Sequence, residues 1–157
     1  MSGKITNFMS DETRFLSNFY PYKKDGGKYE HIVKVIYNGI EFDCVENAYQ
    51  AAKFLNKTEQ MAFAKMSPYE TKSFWENNSG FRSDWEQIKL SIMEDLVWQK
   101  FFNSDILKQK LLATEDAVLE EGNDWNDTFW GVCNGVGENH LGKILMNVRN
   151  KLKNKAL

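Results

Sequence analysis

The chain has few of the residues that build metal sites, disulfide scaffolds and rigid linkers, since only two of its 157 residues are histidine, two are cysteine and two are proline. Cys44 and Cys133 form no Cys-x-x-Cys pair, so they predict neither a disulfide framework nor a metal cluster. His31 and His140 stand at no spacing from a second ligand that is typical of zinc sites. We therefore expect no metal ion and no cofactor.

An excess of one charge and a long apolar run are also lacking. Twenty basic residues face 22 acidic ones, for a net charge of -2 and a pI near 5.8, which argues against broad electrostatic binding to a nucleic-acid backbone. No segment is apolar enough to span a bilayer or to serve as a secretion signal. A Walker-type loop and a dinucleotide fingerprint are missing. We expect a cytoplasmic monomer without membrane contacts.

What the chain does have is material for one core, with 42% hydrophobic and 14% aromatic residues. Residues 32–37 and 40–42 read as two strands around Asn38-Gly39, a dipeptide typical of a primed hairpin turn. Downstream, capping signals predict helix starts at Ser67–Glu70, Ser83–Glu86, Ser104 and Asn139. The pattern indicates a single compact domain over residues 1–157.

Apolar periodicity predicts the buried faces of the later helices. In the central helix that face contains Trp85, Ile88, Ile92, Met93, Leu96, Val97 and Phe101. The next helix carries Ile106, Leu107, Leu111 and Leu112. In the last helix the buried face contains Leu141, Ile144, Leu145, Val148 and Leu152.

The most informative segment is residues 44–53, where helical spacing would separate a polar stripe from an apolar one. The polar stripe, at i, i+3, i+4 and i+7, is Glu46, Tyr49, Gln50 and Lys53. The apolar stripe is Val45, Ala48, Ala52 and Leu55. Such a helix would be anchored on one side and would present an acid, an aromatic ring, an amide and a base on the other.

Two further segments allow more than one interpretation, as does Glu46 itself. Glu46 fits a capping box with Asp43 as the N-cap as well as it fits a functional acid. Asp127, in the stretch 126–131, is a second candidate acid, although acids and amides in such short stretches commonly form turns. The glycine-rich stretch 135–139 precedes a helix start that could receive a phosphate, or its glycines could simply form tight turns.

Six ordered blocks between about Phe15 and Arg149 resemble the NADAR (YbiA-like) family of N-glycosidases. The blocks are Phe15–Pro21, Val45–Lys53, Arg82–Glu86, Leu111–Thr114, Asp127–Gly131 and Gly137–Met146. The resemblance implies an α+β fold, mainly helical with a small N-terminal antiparallel hairpin, and a domain core of about residues 8–153. It also implies a hydrolase that cleaves the N-glycosidic bond between a ribose and a nitrogen base.

By position, the resemblance places the essential acid of the family at Glu46, the second acid at Asp127 and the functional tryptophan at Trp85. A core anchor is the alternative role for Trp85. The predicted substrate-binding residues are Asn18, Phe19, Tyr49, Gln50, Lys53, Arg82, Trp130, Gly131, Gly137 and Asn139. If this assignment holds, Glu46 and Asp127 must open into one shared cavity.

Cleavage of a ribosyl C–N bond builds positive charge on the sugar, which a nearby carboxylate stabilises. We expect Glu46 to face the ribose and to orient or deprotonate water, and Asp127 to bind ribose hydroxyls or to assist protonation of the base, with the two roles open to exchange.

Several substrates fit this chemistry. The expected one is ADP-ribose on a nucleobase such as guanine in DNA, an assignment favoured because the chain resembles a minimal stand-alone domain. The alternatives are a ribosylamino-pyrimidine phosphate intermediate of riboflavin synthesis and a non-catalytic role in binding ADP-ribose. Many relatives carry a Gly-Arg pair after the segment matching Pro68–Lys72, whereas this chain continues Ser73-Phe74-Trp75-Glu76.

Overall fold

The computed structural model describes residues 3–76 and 80–155. Within these ranges the chain forms six α-helices, a 3-10 turn at Arg14–Leu16 and six short strands. The helices are α1 (Val45–Ala52), α2 (Lys57–Phe63), α3 (Thr71–Glu76), α4 (Trp85–Phe102), α5 (Asp105–Leu112) and α6 (His140–Lys155). The strands are β1 (Lys4–Ile5), β2 (Val35–Tyr37), β3 (Ile40–Phe42), β4 (Val118–Leu119), β5 (Gly122–Asn123) and β6 (Val132–Cys133). The predicted α+β class with mainly helical content is confirmed.

The central helix is α4, which packs against α1, α5 and α6. On its predicted inner face, Met93, Leu96, Val97 and Phe101 are all at most 1% exposed and Trp85 is also buried, while Ile88 and Ile92 are only partly buried. The capping box predicted at Ser83–Glu86 is wrong. Asp84 takes the N-cap position without a side-chain cap bond, because its carboxylate binds a neighbouring arginine instead.

The later helices follow their sequence signals closely. Ser104 caps α5, with its Oγ accepting the Leu107 N–H at 3.2 Å. Of the four apolar residues predicted to face inward on α5, Leu107 and Leu111 are buried, while Ile106 is 54% exposed. The predicted inner face of α6 is buried along its whole length.

The helix predicted to start near Ser67 begins later than expected. Glu70 does return a carboxylate oxygen to the Ser67 N–H at 2.9 Å, as in a capping box. However, the segment forms a turn first, and α3 begins only at Thr71. The turn is held by the Thr71 hydroxyl, which donates to the Pro68 carbonyl at 2.8 Å.

The hairpin delivers the chain to α1, as predicted. Asn38 and Gly39 both have positive φ, at 52° and 77°, as a primed turn requires. The first strand is shorter than expected and starts at Val35, while Ile32 is 81% exposed.

Two further sheets, which the sequence pattern did not predict, are parallel pairs of two-residue strands. One pairs β1 with β4, and the other pairs β5 with β6 so that Gly122 lies opposite Val132. The second pair holds together both ends of the loop at 124–131. In the described part of the chain, no helix is both long and apolar enough to cross a membrane.

Candidate active site

A cavity of about 220 Å³ lies where the N-terminal segment, α1, α4 and the region 121–130 meet. Its walls come from residues that are far apart in the chain. They are Ser17, Asn18, Phe19, Glu46, Tyr49, Gln50, Lys53, Met93, Glu121, Asp127 and Trp130. The structure therefore brings Glu46 and Asp127 to one shared cavity.

Helix α1 contributes four of these lining residues, because residues at i, i+3, i+4 and i+7 lie on one face of a helix. The whole polar stripe of Glu46, Tyr49, Gln50 and Lys53 lines the cavity. On the other stripe, Val45, Ala48 and Ala52 are completely buried and anchor the helix. Leu55 departs from the prediction, because it lies beyond the end of the helix and is 71% exposed.

Glu46 is not a capping residue. The N-cap of α1 is Cys44, which makes no side-chain cap bond, and Asp43 instead accepts hydrogen bonds from the Tyr22 hydroxyl and the Lys28 ammonium. The Glu46 backbone N–H donates to the Asn18 carbonyl at 3.0 Å. The capping-box interpretation is therefore wrong, and the Glu46 carboxylate is left for the cavity.

Within the cavity, Glu46 Oε2 accepts a hydrogen bond from Gln50 Nε2 at 2.7 Å. Burial raises the pKa of Glu46, and the charge of Asp127 raises it further, against the lowering effects of Gln50 and Lys53. Burial also lowers the pKa of Lys53. Two groups of opposite charge thus share a site that holds each of them closer to its neutral form.

Asp127 both forms a turn and lines the cavity. Its Oδ1 accepts the backbone N–H groups of Phe129 at 3.2 Å and Trp130 at 2.9 Å. Its own backbone is held by Asn123, whose side chain accepts the Asp127 N–H at 3.1 Å and donates to the Asp127 carbonyl at 2.9 Å. The turn interpretation is correct, and it explains how the carboxylate is held in place.

Glu121 is a third carboxylate in the cavity, which the sequence reasoning missed. Burial raises the pKa of Glu121 to about 8, with smaller contributions from the charges of Asp127 and Glu46. Its Oε2 is buried and has no hydrogen-bond partner among the residues that the structure describes. No strand pattern indicated it, because β4 ends at Leu119 and Glu121 lies outside that strand.

Of three residues predicted to bind substrate, Asn139 and Gly131 contact the backbone of Glu121, and Gly137 packs against Gly131. Asn139 Oδ1 accepts the Glu121 N–H at 3.0 Å, and its Nδ2 donates to the Leu119 carbonyl at 2.9 Å. A Cβ on Gly131 would lie 2.2 Å from the Glu121 carbonyl oxygen. A Cβ on Gly137 would lie 2.2 Å from the Gly131 oxygen. These contacts position the acid, and direct binding of substrate by the three residues stays a prediction.

Aromatic rings form much of the remaining wall. The Tyr49 ring lies 5.5 Å from Trp130 in an edge-on arrangement and 5.0 Å from Trp85. Trp85 is only 7% exposed and reaches the cavity through Tyr49 rather than lining it. Its position fits the core-anchor alternative, and its predicted functional role stays a prediction.

Arg82 is directed to partners outside the cavity wall. Its guanidinium binds Asp84 at 2.7 Å and the Tyr37 hydroxyl at 3.1 Å. Its backbone N–H donates to the Lys53 carbonyl at 2.8 Å, which ties it to the end of α1. Across residues 3–76 and 80–155, no three His, Cys, Asp or Glu side chains are grouped as metal ligands.

The fold and the cavity together describe an α+β domain with acids from its two halves in one cavity. The NADAR domain profile matches residues 7–153, and the chain belongs to this family. Its relatives include N-glycosidase Npun_R5314 of Nostoc punctiforme, 36% identical over 116 residues, with 70% of this chain and 74% of the relative covered. The family thus includes proteins named as N-glycosidases.

Other relatives cover more of the chain. N-glycosidase YbiA of Escherichia coli is 30% identical, and the alignment covers 95% of this chain and 94% of the YbiA chain. The NMR structure of E. coli YbiA superposes with a TM-score of 0.80, covering 99% of this chain and 89% of that one. Riboflavin biosynthesis protein VVA0006 of Vibrio vulnificus is 33% identical over 99% of this chain. The matched region is 40% of that longer relative.

Proposed function

We propose that this protein is a metal-independent N-glycosidase that hydrolyses the bond between a ribose and a nitrogen base, with ADP-ribose on guanine in DNA as its main substrate. The observation that carries the proposal is the convergence of Glu46, Glu121 and Asp127 on one cavity with aromatic walls. The names of the relatives support the reaction class.

In the proposed mechanism, Glu46 acts on the ribose. As the C–N bond breaks, the sugar gains oxocarbenium character, and a carboxylate stabilises this charge more than it stabilises the neutral ground state. Glu46 also orients the water that attacks the anomeric carbon and accepts its proton. The Gln50 amide holds one oxygen of Glu46 and so restricts its rotation.

Glu121 is the proposed general acid. A carboxyl group with a pKa of about 8 is mostly protonated at neutral pH, and so it can donate a proton to the departing nitrogen. Asp127 takes the ribose-binding role, because the turn already holds one of its oxygens and leaves the other for a hydroxyl group. This division of roles separates one protonated acid from the two other carboxylates, as acid and base catalysis on a sugar requires.

The names of two relatives support a second candidate substrate. Proteins of Vibrio vulnificus and Zea mays that share this domain are named riboflavin biosynthesis proteins. A ribosylamino-pyrimidine phosphate also carries a ribosyl C–N bond, so the same three carboxylates would act on it. The two candidates differ in what lies beyond the ribose, and a direct competition between them decides the substrate.

The test is to present both substrates to the purified protein in the presence of a chelator and to identify the products by mass. The proposal expects free ADP-ribose and unmodified guanine, with slower or no turnover of the pyrimidine substrate. Binding of ADP-ribose without release of any base would instead support a non-catalytic role. Activity that vanished with chelator and returned with zinc or magnesium would refute metal independence.

A further inference from the structure

A second cavity of about 350 Å³ adjoins the acid cavity. The two share Ser17, Phe19 and Glu121 as common walls. The second cavity therefore lies next to the carboxylates. We call this second space the Arg14 cavity, after the one arginine that lines it.

Arg14 is buried at 4% exposure, and its bonding partners in the structure are neutral. Its Nε donates to the Tyr22 carbonyl at 3.1 Å, one Nη donates to the Tyr69 hydroxyl at 3.1 Å, and the other contacts the Met9 sulfur at 3.5 Å. The residues that the structure describes place no carboxylate within ion-pair distance of this guanidinium.

Among the described residues, the positive charge of Arg14 therefore has no counter-charge, and some of its N–H donors have no acceptor. A guanidinium has five N–H donors, and the three contacts leave two of them without a partner in the described structure. The Phe19 ring, 5.7 Å from the guanidinium carbon, offers only a weak cation–π contact. A buried charge without a counter-charge is costly, so the site favours an anion that supplies one.

The other groups around the Arg14 cavity strengthen this preference. Lys24 is exposed and adds a second cation at the wall. Glu121 is the acid on this wall, and its pKa of about 8 leaves it mostly uncharged at neutral pH.

We propose that the Arg14 cavity is the phosphate subsite of this enzyme, with Arg14 binding a phosphate oxygen pair and Lys24 adding charge at the rim. The inference rests on the proposed function, because it places the ribose at the carboxylates and the phosphates of the same molecule next door. The fork of a guanidinium matches two phosphate oxygens, which a lysine does not. The rings of Phe19 and Trp125 provide apolar walls beside the phosphates.

The test measures equilibrium binding and needs no turnover. ADP-ribose, pyrophosphate and adenosine are titrated into the wild type and into Arg14→Gln, Arg14→Lys and Lys24→Gln. Loss of a charge-assisted contact predicts that Arg14→Gln weakens binding of ADP-ribose and pyrophosphate by about tenfold or more. Arg14→Lys should recover part of that loss, and adenosine, which lacks a phosphate, should bind all variants equally.

Matched variants separate binding from folding. Arg149→Gln removes another arginine with neutral partners, Thr114 and Ala117, and should leave all three affinities unchanged. Lys24→Gln changes only an exposed side chain, and it should weaken ADP-ribose binding by about threefold and reduce its salt dependence. If Arg14→Gln fails to fold, this second variant decides the question.

Two results would overturn the subsite. One is a folded Arg14→Gln protein that binds ADP-ribose as tightly as the wild type, and the other is a Lys24→Gln protein with unchanged affinity and salt dependence. The proposed function fails separately. A wild type that binds ADP-ribose through Arg14 but releases no base would keep the subsite and refute the hydrolase.

Discussion

The acids of the cavity come from two regions that hold their side chains in different ways. Glu46 stands on a helix whose opposite face is fully buried, so the helix sets the position of its backbone, and Gln50 on the same helix holds one of its carboxylate oxygens. Glu121 and Asp127 lie in a region of two-residue strands and turns, where side-chain hydrogen bonds and glycine contacts set their positions. We therefore expect the helix to stay intact without its acid, whereas the loop depends on its supporting residues.

The largest expected effect is on the helix side. Glu46→Gln should keep the fold, since the amide has nearly the same shape and the helix is anchored elsewhere. It should lower kcat by about a hundred- to ten-thousand-fold, the range of general acid–base catalysis. Kinetics with a thermal melt check this, with Glu41→Gln on exposed β3 as a control that should change neither. Near wild-type turnover by folded Glu46→Gln would remove it from the mechanism.

The next effect concerns Glu121 and pH. The pKa of Glu121 is near 8 in the folded state and about 4.3 in the unfolded state. Between about pH 4.3 and 8 the folded protein therefore binds more protons than the unfolded chain, so the stability of the wild type falls as the pH rises through this range. Glu121→Gln removes this loss, so its Tm should exceed that of the wild type at pH 8 to 9 and approach it near pH 4. Its kcat should fall at least tenfold.

The matched control is Glu120→Gln, which changes the neighbouring, partly buried acid that pairs with the exposed Lys4 at 2.9 Å. It should show neither the gain in Tm at alkaline pH nor the loss of kcat. If Glu121→Gln were as active as the wild type, the general acid would have to be another group. An equal pH dependence of Tm in the wild type and the variant would contradict the assigned pKa.

A smaller effect is expected at Gly131 in the loop region. In Gly131→Ala the new methyl group would lie 2.2 Å from the Glu121 carbonyl oxygen and 2.8 Å from its Oε2. The backbone must shift, which should cost about 1–3 kcal/mol of stability and displace the acid. We expect a lower Tm together with about a tenfold loss of kcat.

Gly135→Asn is the control for this glycine. The position has open space around its Cβ, and asparagine tolerates its positive φ of 78°. It should therefore leave both Tm and kcat nearly unchanged. A Gly131→Ala protein with wild-type Tm and kcat would show that the loop does not depend on this contact.

The smallest expected effect is at Asn123, which holds the backbone of Asp127. Asn123→Ala removes both hydrogen bonds to the Asp127 backbone, together with longer ones to the Trp125 N–H and the Glu121 carbonyl, and should cost about 1–2 kcal/mol. Because Asp127 is proposed to bind the ribose, KM should rise by a few-fold with a smaller change in kcat. Exposed Asn150 on α6 serves as the control in Asn150→Ala, and a KM equal to the wild type in Asn123→Ala would contradict the role of this support.

Sequence reasoning succeeded where local structure, such as the periodicity of a helix or the type of a turn, determines where a side chain lies. Helical spacing placed Glu46, Gln50 and Lys53 on one face, and all three line the cavity. The turn at Asn38-Gly39 was found because positive φ at both positions favours those two residue types. In both cases the information lies within a few residues along the chain.

Sequence reasoning was less successful where the position of a side chain depends on residues that are distant along the chain. The spacing left a cap role for Asp43 as one of two interpretations, and only the fold excludes it, because Tyr22 and Lys28 bind the Asp43 carboxylate instead. Glu121 was missed because strands of two residues leave little periodicity to read. Its burial depends on Asn139 and Gly131, which pack against it from the other end of the loop. In this region the sequence indicated Asp127, while the position of Glu121 in the cavity is visible only in the fold.

The central claim is that carboxylates from both regions cleave a ribosyl C–N bond in one cavity. The most direct measurement is mass analysis of an oligonucleotide with ADP-ribosylated guanine after incubation with the wild type, Glu46→Gln or Glu121→Gln, all in the presence of chelator. The account predicts free ADP-ribose and restored guanine with the wild type, and intact substrate with both folded variants at the same time points. Equal release by the wild type and both variants would contradict it.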